Sequence, residues 1–284
     1  MKLVLEANSL VHTMYHISKR KWNDELGEYE PAIPDPPDVV ERFLNRLVYI
    51  ADYAEQLAAK VGEPLTLMAV FDPVGRKFRH DIFPDYKANR TTDLLVVECV
   101  AHAREAVEHA DDWQCLVAPM KFEADDLIAS LAHKADERVL IHSSDKDFNQ
   151  CLVDKRVGII KKSGVEEVIN HNFLGCGAFA VQALMVKDMT YRSFVREYGF
   201  TPDRWVDYQC LTGDSSDNVK GAYGIGDKMA RKILTEWPGD LMDLDPEQFP
   251  LNKKQRAGWQ EFADRYERLV DVFTLRTNLG DGDE

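Results

Sequence analysis

Apolar residues fall into two rhythms along this chain. Short runs at Lys2–Leu5, Leu65–Phe71, Gln114–Val117, Arg138–His142 and Val157–Ile160 read as strands, the first of them a buried one. Between them the apolar positions take helical spacing. Val39–Val61 carries Val40, Phe43, Leu44, Leu47, Ile50, Ala51, Ala54 and Leu57 on one stripe, and Asp93–Ala110 and Phe122–Ala135 read as further helices. Strand alternating with helix predicts an α/β domain around a mostly parallel sheet. The polar, proline-bearing stretch from Lys19 to Asp38 and the basic, aromatic stretch from Pro73 to Thr92 read as loops. After about residue 170 no convincing strand remains, and short helical segments alternate with glycine-rich turns. The expected organisation is an α/β domain over 1–168 and a helical region over 169–284, with the boundary between Lys162 and His171. Leu251–Leu275 reads as a helix and Asn278–Glu284 as a disordered tail.

A net charge of −14 argues against a general nucleic-acid coat, but not against an enzyme that gathers its acids into one site. Local basic clusters at Arg76–His80, Lys87–Arg90, Lys161-Lys162 and Lys228–Lys232 are candidates for holding a phosphate backbone. No run approaches the ~20 apolar residues of a membrane span, and no signal-peptide cleavage pattern follows the first apolar run. The five cysteines are scattered without a CxxC pair, which fits reduced thiols in a cytoplasmic protein.

Acids stand where the apolar runs stop. Glu6, Asp72 and Asp145 each follow a predicted strand, and in parallel sheets ligands gather beyond the carboxyl ends of the strands. Glu123, Asp125 and Asp126 open a predicted helix, Asp147 follows Asp145 by two, and Asp214 and Asp217 share the turn-rich segment GDSSDN. Taken singly, each group is also explained by helix capping or an Asx turn. Together they make an oxygen-only donor set, which suits Mg²⁺ or Mn²⁺ rather than zinc. Two such ions about 3.5–4 Å apart are the usual machinery for cutting phosphodiesters.

Two further features suit a nucleic acid. Phe78, Arg79, Tyr86, Lys87 and Arg90 interleave aromatic faces with cations. Gly221, Gly224 and Gly226 form a hinge entering a helix that carries Lys228, Arg231 and Lys232, which offers N–H groups and charge to a phosphate. No Walker lysine pattern occurs, so ATP hydrolysis is unsupported.

The segments FDPVGRKFRH, YKANR, FEADDLIASLA, SSDKDFNQ and LTGDSSDNVKGAYGIGDKMARKIL stand in the order found in the 5′-nuclease family, which the chain resembles over most of residues 1–237. That family comprises the flap endonucleases and 5′–3′ exonuclease domains of bacteriophages and of bacterial DNA polymerase I. The resemblance implies a PIN-like α/β nuclease domain carrying a helix-three-turn-helix. It implies two sets of metal ligands, with Asp72, Glu123, Asp125 and Asp126 in the first and Asp145, Asp147, Asp214 and Asp217 in the second. Glu6-Ala7-Asn8 departs from the family's usual Asp-Gly-Asn or Asp-Ala-Asn, keeping the charge on a longer arm. Lys87 and Arg90 correspond to basic residues near the scissile phosphate, and Arg79, Phe78 and Tyr86 to substrate-handling positions. The hinge at Gly221, Gly224 and Gly226 corresponds to a duplex-binding element that holds a potassium ion in some relatives. The implied activity is metal-dependent cleavage of DNA at 5′ flaps, nicks or 5′ ends by a monomer, with RNA primers as further substrates. A DNA-structure-binding protein of the same fold with impaired chemistry, and a PIN-type RNA nuclease, are the alternatives.

Overall fold

The structure is a computed structural model and describes residues 1–91, 93–160, 188–247 and 249–280. The chain opens with β1 (Lys2–Glu6) and α1 (Ala7–Ser18), then folds a hairpin of β2 (Arg20–Asn23) and β3 (Glu28–Pro31) before the long α2 (Pro36–Val61). Then come β4 (Thr66–Phe71), the short α3 (Arg79–Ile82), α4 (Leu94–Glu108), β5 (Trp113–Val117), α5 (Ala124–Lys134), β6 (Val139–His142) and β7 (Val157–Ile160). These strands pair in the order β5-β4-β1-β6-β7, all parallel, with Leu3 of β1 beside Leu67 on one side and Leu140 on the other. The order runs outward from β1 in both directions, so the sheet changes winding direction there.

Successive side chains point to opposite faces. Leu3, Leu5, Leu67, Ala69 and Phe71 share a core with residues of α1, α2 and α4, whereas Val4, Met68, Val70, Val139 and Ile141 share one with α5 and the C-terminal helices. Burial on both faces is why these strands are apolar at consecutive positions.

After residue 187 the described chain resumes with β8 (Asp188–Met189), α6 (Tyr191–Tyr198), α7 (Trp205–Thr212), the two-residue β9 (Gly213–Asp214) and β10 (Val219–Lys220), α8 (Asp227–Glu236) and α9 (Lys253–Phe273). Trp205, Leu211, Ile233, Phe262 and Leu269 join Val4 and Ile128 in one continuous core. The C-terminal helices are therefore packed onto the α5 face of the sheet.

The structure departs from the expected elements at several places, among them the short α3 inside the 73–92 stretch read as a loop and the β9–β10 ladder after residue 170. Residues 20–31 form the β2–β3 hairpin instead of a loop. Its strands are almost wholly exposed, and it is held by a Trp22–Tyr29 edge-to-face pair at 5.1 Å and an Asn23 side chain that accepts from the Glu25 and Leu26 N–H groups, so no buried periodicity marks it. A strand does follow residue 170: β8 lies antiparallel on β7, giving the sheet a sixth member too short to leave a pattern. The part of the expected tail that is described, residues 278–280, is anchored through buried Leu279. Leu279 donates its N–H to Ser130 Oγ at 3.1 Å and accepts from Lys134 Nζ through its carbonyl. The expected boundary at 162–171 and the Lys161-Lys162 cluster lie outside the described residues.

Candidate metal and nucleic-acid site

The central strands β4, β1 and β6 are neighbours, and an acid stands at the carboxyl end of each. Glu6 is the last residue of β1, Asp72 follows β4, and Asp145 follows β6 after a two-serine turn. Side chains lock these ends together. Asp72 accepts from the Ala124 N–H at 2.7 Å, which brings the first turn of α5, and with it Asp125, onto the rim. Ser143 Oγ donates to Glu6 and accepts from the Asp145 N–H at 2.9 Å. Asp145 Oδ1 then accepts from the Asp147 N–H at 2.8 Å. The helical half supplies the remainder. Gln209 of α7 donates to Asp147 Oδ1 at 2.7 Å, and Lys146 bridges to Asp214 at 3.0 Å. Asp214 Oδ1 accepts from the Ser216 N–H at 2.7 Å and its hydroxyl at 2.6 Å, shaping the turn that carries Asp217.

Crowded acids raise one another's affinity for protons. Desolvation lifts Asp125 well above the usual carboxylate range, and Glu6, Asp145 and Asp72 add to this against the pull of Lys87. Desolvation lifts Asp147 likewise, with Asp145, Asp217 and Asp214 adding against Lys146. Burial raises Asp217 although Lys87 and Arg90 oppose it. Asp214 is held low, since Ser216 and Lys146 outweigh its burial. The strain has two foci that share Asp145: one with Glu6, Asp72 and Asp125, the other with Asp147, Asp214 and Asp217. Hard cations with oxygen ligands relieve electrostatic crowding of this kind, so the donor set suits a divalent metal. Among the described residues, no three of these side chains already close around one point as a metal-binding group. Lys87, Lys146, Arg90 and Ser143 hold several of the rim acids instead.

Asp126 is corrected from ligand to clamp. It is fully buried, and each of its oxygens is taken twice. Oδ1 accepts from Arg79 Nη2 at 2.8 Å and the Arg276 N–H at 2.9 Å, and Oδ2 from Arg79 Nη1 at 2.7 Å and the Glu123 N–H at 3.0 Å. An ionised carboxylate has about four acceptor positions, so none is left for a metal. Arg79 is corrected with it. At 2% exposure it cannot reach a substrate, and it also binds Glu123 Oε2 at 2.9 Å and the Val272 carbonyl at 2.9 Å.

Tyr86 is buried and donates to Glu123 at 3.0 Å, so it offers no open face for stacking. The Phe78 ring is engaged by the guanidinium groups of Arg79 and Arg276, each 4.6 Å from its centroid, and by Phe122. Burial opposes ionisation of Glu123, but Lys87 and then Arg79 outweigh it and hold the carboxyl at about 2. Lys87 Nζ stands 2.5 Å from Glu123 Oε1.

The two cations expected near a phosphate are at the rim. Lys87 has a left-handed backbone (φ 55°), a conformation that costs on the order of 1–3 kcal/mol and is held here by its N–H to the Asp217 carbonyl at 2.9 Å. Arg90 reaches Asp217 Oδ1 at 2.6 Å. Asn89 donates to the Ser215 carbonyl and Asn218 to the Asp85 carbonyl, each at 2.9 Å, so segment 85–90 is clasped to turn 215–218.

At the hinge the glycines divide their tasks. A Cβ on Gly221 would stand 2.3 Å from the Gly213 nitrogen, so Gly221 serves close packing of β10 on β9 rather than a ligand. Gly224 needs its positive φ of 74°, and Gly226 caps α8 with open space above it. Lys228 is exposed. Arg231 is occupied by Asp227 at 2.6 Å and the Glu197 carbonyl at 2.6 Å, and Lys232 lies 3.9 Å from Glu236. Ser143, Lys146 and Gln209 were not singled out in the sequence. Only the position of Lys146, between two candidate ligands, signalled a role.

A family model described as 5′-3′ exonuclease, N-terminal resolvase-like domain matches residues 2–175, and one described as 5′-3′ exonuclease, C-terminal SAM fold matches residues 200–280. DNA polymerase I of Thermus aquaticus is 35% identical over 217 residues, covering 75% of this chain and 23% of the relative. The chain thus spans less than a quarter of the length of that curated relative. Among solved structures, the bacteriophage T5 D15 protein co-crystallised with metal ions aligns over 97% of this chain and 90% of its own, with TM-score 0.67 and 18% identity. The T5 D15 flap endonuclease in complex with DNA and metal ions aligns over 97% and 89%, with TM-score 0.64 and 18% identity, a likeness of fold. With both halves of the molecule matched in order, the chain belongs to the 5′–3′ exonuclease family.

Proposed function

We propose that the protein is a divalent-metal-dependent nuclease that hydrolyses DNA phosphodiesters at 5′ flaps, nicks or 5′ ends. It acts as a monomer in a bacterial or phage-infected cytoplasm, with the RNA end of a primer as a further substrate. The observation that carries this reading is the convergence of acids from three adjacent strand ends, a helix start and two turns onto one rim beside Lys87 and Arg90. The relatives solved with metal ions and DNA support it. Glu6, Asp72, Asp125 and Asp145 would hold one Mg²⁺ or Mn²⁺, and Asp145, Asp147, Asp214 and Asp217 a second, whereas Glu123, expected in the first set, has Lys87 on Oε1 and Arg79 and Tyr86 on Oε2. Bound there, the ions supply positive charge to the attacking water, the phosphate and the leaving oxygen.

The chain's own residues do the rest. Lys87 and Arg90 bind non-bridging phosphate oxygens and stabilise their growing charge. Glu123, fixed by Arg79 and Tyr86, orients the Lys87 ammonium. Gln209 holds the Asp147 carboxylate in place, and the hinge N–H groups with Lys228 grip the duplex backbone.

A 5′-labelled flap, a nicked duplex and an RNA–DNA hybrid, each incubated with Mg²⁺, Mn²⁺ or EDTA, test the reading. Cleavage of the flap and nick with either ion and none in EDTA is expected. Hydrolysis undiminished by chelator, or preference for the hybrid alone, overturns it. The longer arm of Glu6, already engaged by Ser143, favours a second reading in which the protein binds branched DNA with impaired chemistry. Tight binding without cleavage in the same assay selects it.

A further inference from the structure

Between β10 and α8 lies the glycine hinge, among whose carbonyl oxygens the resemblance to 5′ nucleases implies a potassium ion. At the carbonyls of Lys220, Gly221 and Gly224 the residues here do not fit that ion. Arg265 of α9 donates through Nη2 to the carbonyls of Lys220 at 3.0 Å and Gly221 at 2.9 Å. Gln255 of the same helix, 7% exposed, donates to the Gly224 carbonyl at 2.8 Å. Two further hinge carbonyls are met by backbone: Ala222 by the Ile225 N–H at 3.2 Å, and Gly226 by the N–H groups of Met229 and Ala230 at 3.1 and 3.0 Å. Gly258 lets α9 come this close, because a Cβ there would stand 2.8 Å from Tyr223 Cβ. A second cation on the same oxygens would face the guanidinium at short range.

We infer that Arg265 is the resident cation of the hinge. It balances the carbonyl dipoles from a fixed helix, so this chain's hold on duplex DNA does not select for potassium. Its consequence for DNA rests on the functional reading above, but the cation itself is read without DNA.

Melting of the metal-free protein in KCl, NaCl and tetramethylammonium chloride at equal ionic strength is the first measurement. The wild type should melt at the same temperature in all three, to within about 1 °C, because no ion adds native-state binding. Arg265→Met should melt lower in tetramethylammonium and recover by several degrees in KCl, as the freed carbonyls take up the ion. Arg265→Lys keeps the charge and should stay indifferent to the salt. Fluorescence anisotropy with a nicked duplex in EDTA is the second measurement. The wild-type Kd should agree within about twofold across the salts, and Arg265→Met should bind roughly 5–10-fold more weakly in tetramethylammonium than in KCl.

A wild type that melts several degrees higher, or binds several-fold tighter, in KCl than in tetramethylammonium overturns the inference. That comparison needs no variant and decides the matter if Arg265→Met fails to fold. Failure to bind DNA in any salt would overturn the functional reading and leave the melting result to decide the cation.

Discussion

A carboxylate in a dry place needs positive charge beside it, and two consecutive residues of α5 meet that need differently. Asp126 has Arg79 on both oxygens; Asp125 has crowding acids and the partial help of Lys87. Removing one partner of a buried pair leaves the other charge uncompensated, at roughly 3–5 kcal/mol. Arg79→Met should therefore lower stability by about that amount in urea titrations, and Arg79→Lys should not restore it because the fork is lost. Asp147 behaves in the opposite way. Its native carboxyl titrates above the unfolded value, so the charged form burdens the native state at neutral pH and the burden is absent below about pH 4, the unfolded pKa. Asp147→Asn should raise Tm in EDTA at pH 7.5 by roughly 2–4 °C, the shift that ~1 kcal/mol brings in a domain of this class. The gain should disappear at pH 4, and Mn²⁺ should reverse the ranking by stabilising only the wild type. A wild type and variant that melt together at pH 7.5 in EDTA would remove the electrostatic account.

At the scale of elements, β9 and β10 are only two residues each, yet they fix where the second set of acids lies. Gly213 and Gly221 touch backbone to backbone, and added Cβ atoms would stand 2.4 and 2.3 Å from the opposite nitrogen. Gly221→Ala should lose ~1–3 kcal/mol by overpacking and lose cleavage more severely than that, because the 214–217 turn shifts with the ladder. Unchanged cleavage would show that the turn is held by other means. The buried strands and their terminal acids were legible in the sequence, since consecutive apolar residues report burial on two faces and the acids stop the runs. The hairpin at 20–31 was not, because its cross-strand contacts leave no periodicity. Nor were the fates of Asp126 and Arg79, whose partners include Arg276 and Val272, far along the chain. A first-turn acid that binds a metal and one that binds an arginine look alike until the distant element arrives.

For the whole molecule, the α5 face of the sheet and the C-terminal helices share one apolar core, although the two family models divide the chain between residues 175 and 200. Shared burial couples the halves, so calorimetry should record a single transition with matching calorimetric and van't Hoff enthalpies. Two resolved peaks would mean that the halves unfold separately. The same coupling gives the clasp between 85–90 and 215–218 a mechanical meaning. Swinging segment 85–90 outward breaks the Lys87, Asn89, Arg90 and Asn218 bonds in one stroke. Such a displacement would bare the Asp217 carboxylate and draw the Lys87 ammonium off Glu123 together, because both contacts cross the same seam.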